Sequence, residues 1–276
     1  MATATPKKFS MQQTFEILLR RPATKQIVAY LTDTKTTSLE NTMELVYPSG
    51  GAGNVYIGGG FAHSKRTTMT VENATFNTEV MALQNGTEVA NGSADITKYE
   101  ILTAGANVAT AGILTSETAK GTANEEIGYA YIVANDGTFE KELTQGADAG
   151  SAGTFKYEAA SKKLTFFTGD VVAGDRIAVA YTYATADTAQ KIVVASDGFP
   201  STVLVSAYGV AKDVCSGETF PCVVEGTAQV DGNWNFDLTA DGDPVVQNLN
   251  LEFVRGCLDN QLYSFVIYTD EDEEGD

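Results

Sequence analysis

Histidine and tryptophan each occur once in this chain, cysteine three times and proline six times, and 18 lysines and arginines face 36 acids. Each scarcity removes a class of explanation. The one histidine, His63, sits between Ala62 and Ser64 with no ligand spacing around it, which is no basis for a zinc site. The cysteines, Cys215, Cys222 and Cys257, are too few and odd in number for a secreted disulfide framework and lack knuckle spacing. Reduced thiols are expected, although a Cys215–Cys222 bridge across "CSGETFPC" is sterically open if that segment is a hairpin. A formal net charge of -18 leaves little with which to neutralise phosphates, so a nucleic-acid grip is excluded. No apolar run approaches the roughly 18 residues of a membrane helix, and "MATATPKKFSMQQTFEILLRRPATKQ" has no apolar core followed by a small-residue cleavage site. The expectation is a soluble, unexported protein.

What the chain does have is alternation. With 276 residues, 43% of them hydrophobic, it is long enough to bury a core as one large or two modest domains. "RIAVAYTYAT", "TVLVSAYGV", "NWNFDLTA" and "LYSFVIYT" place apolar residues at period two, the signature of half-buried strands. Turn residues punctuate them at Asn135–Gly137, Asp231–Asn233 and Asp241–Asp243. The chain reads as mainly β, an antiparallel β barrel or sandwich with one short helix. That helix is placed in "FNTEVMALQNG", where Asn77 can cap the first turn, Val80, Met81, Leu83 and Gln84 carry a face, and Asn85-Gly86 stops it. "MQQTFEILLRRP" is either about two helical turns stopped by Pro22 or an extended arm.

Texture changes near residue 90. From there to about 188 the chain is rich in Ala, Gly and Thr, with strands recurring roughly every ten residues as in a small sandwich. Within it "KKLTFFTGDVVAGDRIAVAYTY" reads as a strand, a turn and a strand with Ile177, Val179 and Tyr181 on one face. Residues 90–188 are expected to form an inserted immunoglobulin-like β module, and residues 1–89 and 189–276 a β core with an N-terminal arm and an acidic C-terminal tail. A single large sheet system with long loops is the alternative.

The stretch "GGAGNVYIGGGFAHSK", residues 50–65, holds six glycines and the histidine. A phosphate loop must end in Gly-Lys-Ser/Thr and open a helix, whereas "RTTMTVENATF" follows and alternates like a strand. The glycines serve turns or bulges around "NVYI". Lys65 and Arg66 then begin a strand, a solvated position that is also a place for a neighbour's acids. No Gly-x-Ser-x-Gly elbow accompanies His63. Paired carboxylates for glycoside cleavage depend on a separation that only the fold sets. Trp234 reads as one core or interface anchor. Asn73, Asn85 and Asn91 head Asn-x-Ser/Thr matches that have meaning only in a secretory pathway. No reaction, cofactor or metal is expected.

Charge is asymmetric: eight of the 18 basic residues lie in the first 66, and the chain ends "TDEDEEGD". The tail reads as a solvated end, though head-to-tail copies can use such asymmetry for orientation. The runs "IVAYLTDTKTTSLENTMELVYPSGGAGNVYIGGGFAHSKRTTMTVENATFNTEVMALQNGTEV" and "IVVASDGFPSTVLVSAYGVAKDVCSGETFPCVVEGTAQVDGNWNFDLTADGDPVVQNLNLEFV" resemble structural proteins of tailed bacteriophages. They are most similar to tail tube proteins, whose plan is shared with the type VI secretion inner tube. The resemblance covers roughly residues 25–89 and 189–268 and leaves the middle segment as an insertion on the tube exterior. It implies a virion protein, assembled in the host cytoplasm, that forms stacked hexameric rings with copies of itself and meets other tail proteins such as sheath or tape measure. Genomic DNA would pass without specific binding, and an acidic wall suits such passage because it repels phosphate. No membrane partner is implied.

Rings require each copy to pair strands or bury apolar faces against the next. The expected contact elements are the N-terminal arm with Lys7, Lys8, Arg20 and Arg21, the loop carrying Tyr47, Gly50, Gly51, Gly53 and Asn54, then Lys65 and Arg66, and the hairpin with Lys212 and Phe220. A capsid decoration or head-tail adaptor protein shares these features and differs in symmetry. A carbohydrate-binding or adhesive module is the third reading, favoured by an aromatic platform. Tyr129, Tyr131, Tyr181 and Tyr183 supply material for one, or else line a strand face as core and cross-strand pairs.

Overall fold

The computed structural model describes residues 7–47, 49–50, 55–56, 61–235, 245–256 and 260–269, with 49–50 and 55–56 as backbone only. The chain divides into two units, Met1–Val89 with Ile192–Asp276, and Ala90–Lys191. In chain order the first unit opens with β1 (Phe9–Met11), β2 (Glu16–Arg20), β3 (Ile27–Leu31), β4 (Thr34–Val46), β5 (Ser49–Gly50), β6 (Val55–Tyr56), β7 (Phe61–Asn73) and α1 (Thr78–Gln84). The second unit holds β8 (Ala90–Asn91), β9 (Asp95–Thr103), α2 (Val108–Ala111), β10 (Ile113–Leu114), β11 (Tyr129–Val133), β12 (Phe139–Gln145), β13 (Thr154–Glu158), β14 (Lys163–Phe166), β15 (Arg176–Ala184) and β16 (Gln190–Lys191). The first unit then resumes with β17 (Thr202–Asp213), β18 (Thr219–Val230), β19 (Gln247–Phe253) and β20 (Tyr263–Ile267). The architecture is mainly β, as the alternation implies, with antiparallel sheets and a nearly closed barrel.

The first unit is a nine-stranded antiparallel sheet in the order β3-β2-β17-β18-β19-β7-β4, with β1 added to β17 and β20 to β18. Its two outer strands, β3 and β4, are consecutive in the chain, so the sheet must curl to bring its ends round. Hydroxyls help to close it: Thr14 Oγ1 donates to the Thr34 carbonyl at 3.0 Å, Thr34 Oγ1 to the Phe15 carbonyl at 2.8 Å, and Phe15 N to Thr37 Oγ1 at 3.2 Å. Period-two apolar positions fill the interior: Ile17 and Leu19, Met69 and Val71, Val203 and Val205, Leu249, Leu251 and Phe253. A fully buried side chain of this kind contributes about 1.5–3 kcal/mol relative to exposure.

Residues 16–20 settle the open question about the first segment. They form a strand, because Ile17 and Leu19 at spacing two meet the core while Leu18 pairs with Ser206 of β17. The helix is where the capping residues put it. Asn77 Oδ1 accepts from the backbone N–H of Glu79 at 2.9 Å and Val80 at 3.3 Å. Its inward face is Val80, Ala82 and Gln84, and Gln84 Nε2 donates to the Asn248 carbonyl at 2.7 Å, tying the helix to β19. Gly86 stops it at φ +64°, where a Cβ would also lie 2.4 Å from the Phe199 carbonyl oxygen. Trp234 Nε1 donates to Asn85 Oδ1 at 3.3 Å, anchoring residues 231–235 to the helix end. The strand expected in "NWNFDLTA" is not present in its described part, where residues 231–235 are irregular. Its remainder and the Asp241–Asp243 turn lie outside the described residues.

The second unit is one hydrogen-bonded path, β10-β14-β13-β12-β11-β15-β9, antiparallel except for β12 and β13, which run parallel. An immunoglobulin sandwich instead has two separate antiparallel sheets. A one-turn helix, α2, adds a second helix to the one expected. Asn135–Gly137 turns β11 into β12, with Gly137 at φ +90°. The core gathers Ala130, Leu143, Phe155, Tyr157, Leu164, Ile177, Val179 and Tyr181. Glu100 sits at its margin and accepts from Ser116 N at 3.1 Å, Ser116 Oγ at 2.5 Å and Tyr181 Oη at 2.7 Å. Burial works to raise the Glu100 carboxyl, but these bonds outweigh it and hold it below the usual range. Burial, reinforced by Glu100, pushes the Tyr181 phenol up to about 12.

Candidate assembly surface

The longest pairing in the first unit is β4 with β7, from Thr34↔Asn73 to Val46↔Phe61. On its other side β7 is supported by β19 only as far as Thr68, which pairs with Glu252. Beyond that point residues 41–46 and 61–66 continue as a two-stranded ribbon whose side chains are exposed on both faces. Such a ribbon is marginal in water unless something packs on it. Its apolar content is high: Met43, Leu45, Val46, Tyr47 and Phe61 are all exposed, with Val46 at 51% and Phe61 at 69%. β4 is also the last strand in the sheet order, so beyond Thr37, where Phe15 N meets it, it presents an edge of the kind that proteins cover or blunt.

Polar residues mark where the ribbon leaves the sheet. Arg66 donates from Nε and Nη2 to the two Glu252 oxygens at 2.8 and 2.7 Å. The hydrogen bond to Arg66 lowers the Glu252 carboxyl, and the same bond raises the Arg66 guanidinium. Buried Thr67 donates to Asn41 Oδ1 at 2.5 Å, and Asn41 Nδ2 donates to Tyr263 Oη at 2.9 Å. The histidine belongs to this ribbon. His63 pairs across the strands with Glu44, its Nδ1 3.6 Å from that carboxylate and 2.7 Å from Ser64 Oγ. Further out, Gly50 pairs with Val55 and Ser49 with Tyr56, so the described part of the glycine stretch does turn the chain.

The sequence-derived contact residues fall into three places. Tyr47, Gly50, Lys65 and Arg66 lie on or next to the ribbon, although Lys65 and Arg66 stand within β7 and do not begin it. Gly51, Gly53 and Asn54 lie outside the described residues. Lys7, Lys8 and Lys212 gather at a second place, where β1 docks on the end of β17 (Phe9↔Asp213, Ser10↔Lys212) and Phe9 stacks on Phe265 at 5.8 Å. The arm is therefore a sheet strand over Phe9–Met11. Phe220 is a correction: it is 4% exposed, its ring turned into the protein, and offers no surface. The hairpin between β17 and β18 is confirmed, and its Cys215 (exposed) and Cys222 (buried) are both free thiols. Burial pushes the Cys222 thiol up. Cys257 is outside the described residues.

Arg20 and Arg21 form the third place and diverge. Arg20 Nη2 donates to Ser206 Oγ at 2.8 Å, and Ser206 Oγ donates to Glu225 Oε1 at 3.1 Å, at the wall of a cleft of about 310 Å³. Arg21 pairs with Glu88 at 2.7 Å beside a groove of about 530 Å³ that Leu83, Val28 and Phe199 also line. Among the described residues no cluster of three or more His, Cys, Asp or Glu could hold a metal. No described helix is long and apolar enough to cross a membrane.

Sequence reasoning missed the apolar ribbon, although "ENTMELVY" and Phe61 carried its signal. The resemblance seen in the sequence leaves residues 90–188 as an insertion. No curated protein matches the chain. Residues 9–264, a span that takes in both units, match the model of the YomU/Tube protein family, and the chain belongs to that family.

Proposed function

We propose that this tube-family protein assembles with copies of itself into stacked rings, six subunits to a ring, that form the tube of a phage tail. The observation that carries this reading is the β4–β7 ribbon, a long apolar extension with an open strand edge that the described chain leaves uncovered. Family membership supports a phage tube or structural role and a place in the virion tail. A net charge of -18 favours a conduit through which DNA slides without sticking. Sheath-like or tape-measure proteins would be the neighbours outside and inside the tube, and assembly would take place in the host cytoplasm. The protein performs no reaction of its own in this reading.

Negative-stain imaging together with sedimentation velocity tests it. Tubes or stacked rings at micromolar protein are the expected result. Single-layer rings or trimers would assign the chain to an adaptor or decoration role, and monomers at every concentration would overturn the proposal.

A further inference from the structure

The second unit presents an outer sheet face of its own. In β9, β15, β11 and β12 side chains alternate between the core and the opposite face. Ala130, Leu143, Ile177 and Val179 point inward, in the pairs Ala130↔Leu143, Ala130↔Val179 and Ile132↔Ile177. The intervening residues share the outer face: Tyr131↔Ala178, Ala178↔Ile101, Ala180↔Tyr99 and Tyr129↔Thr144. Of the four tyrosines singled out in the sequence, Tyr181 and Tyr183 pack with the core. Tyr129 and Tyr131 face outward, and the register adds Tyr99, which sequence reasoning passed over.

Ala180 lies at the centre of this face, with Tyr99 on one side and, one step along from the Ala130↔Val179 pair, Tyr129 on the other. Both rings are open to solvent, Tyr99 at 57% and Tyr129 at 52%. Strand spacing puts their backbones about 9.6 Å apart, with side chains standing roughly perpendicular to the sheet. That is too far for the two rings to stack on each other, since stacked centroids lie about 4.5–7 Å apart. A flat six-membered ring standing on Ala180 would lie about 4.8 Å from each. The next row closes the back of this cup, because Ala178 is 1% exposed between Tyr131 and Ile101. Thr97 and Thr182 pair at its front, with Lys120 beside Thr182 and ion-paired to Asp95 at 2.5 Å, while Thr144 and Glu142 lie one strand further out, beyond Tyr129 and Tyr131.

We propose that this cup binds a pyranose ring of an uncharged glycan. A pyranose has an apolar C–H face that packs on a π face and a rim of hydroxyls, the same division of character the cup shows. The Thr97 and Thr182 hydroxyls at the front meet sugar hydroxyls, and a chain of net charge -18 disfavours polyanions. The methyl floor of Ala180 admits a ring without displacing a side chain.

The full-length protein would be titrated with cellopentaose, chitopentaose and maltopentaose, using calorimetry and saturation-transfer NMR. At least one binds with a millimolar or lower Kd, and Tyr99→Ala and Tyr129→Ala each weaken it about tenfold or more. Ala180→Phe fills the cup, keeps both rings and abolishes binding. Phe199→Ala, which removes an exposed ring from the first unit, leaves binding unchanged, and circular dichroism checks the fold of every variant. Binding of none of the three sugars at about 10 mM overturns the proposal. So does unchanged binding in Ala180→Phe. A loss of self-association in Tyr99→Ala without any sugar binding would instead make the face a contact between copies, again overturning it.

Discussion

Replacing the ribbon pair Val46 and Phe61 with serine should dismantle the assembly and spare the subunit. The two residues lie directly opposite one another and share a face. Their exposed fractions, 51% and 69%, are the surface that a neighbouring copy would still have to cover. Scaling about 1.5–3 kcal/mol for complete burial by those fractions gives about 2–3.5 kcal/mol for the pair at each contact. That corresponds to a loss of about 30- to 300-fold in the association constant. Within the isolated subunit the same change removes little buried surface, so its stability should move by less than about 0.5 kcal/mol. Sedimentation velocity over a concentration series reads the first quantity and urea unfolding of the dissociated subunit reads the second. An unchanged assembly midpoint in a well-folded double variant would show that the ribbon is not a contact, and the argument from its exposed apolar residues would fail.

Further outcomes follow from the same geometry. Gly86→Ala forces a side chain into a positive-φ position against the Phe199 backbone and should cost about 1–3 kcal/mol in denaturant unfolding; a stability equal to that of the parent would contradict the described approach. Leu19→Ala empties a fully buried site and should cost about 2–5 kcal/mol, so a cost below 1 kcal/mol by the same assay counts against that core. Iodoacetamide should label exposed Cys215 in the native protein and buried Cys222 only after unfolding, and peptide mass mapping distinguishes the two. The Glu100 carboxyl is held low in the fold, so the stability it adds is present above its unfolded value near pH 4.3 and is lost as pH falls through the folded one. The Tyr181 phenol is held high, so its contribution is complete below about pH 10 and disappears as pH rises towards about 12. Glu100→Gln should flatten the acid limb relative to the parent in unfolding measured across pH, and parallel acid limbs would rule out that linkage.

Alternation made the strands readable because each one has a buried face, as β17 shows with Val203, Val205 and Ala207 inward. Asn77 and Gly86 made the helix readable because both act locally, through a side-chain cap and a positive dihedral. Residues 11–22 were ambiguous for a different reason. "FEILLR" satisfies either period over so few residues, and pairing with β17, far along the chain, decides for the strand. The parallel β12–β13 pair and the hydroxyl contacts between Thr14 and Thr34 likewise depend on partners that no local window contains. At the assembly surface, residue types pointed to Tyr47 and Arg66. They misjudged Phe220, because an aromatic beside a turn looks available until strand alternation places it with Cys222 and Val224 on the buried face.

The chain passes into and out of the second unit side by side. Ala90–Asn91 pairs with Gln190–Lys191, and Gly92 N donates to the Ala189 carbonyl at 2.9 Å. Such a zipped neck is a natural graft point. Any foreign domain whose own ends lie a strand's width apart can replace residues 93–188 without a cut in the first unit's sheet. If the tube forms, every subunit then carries one such graft.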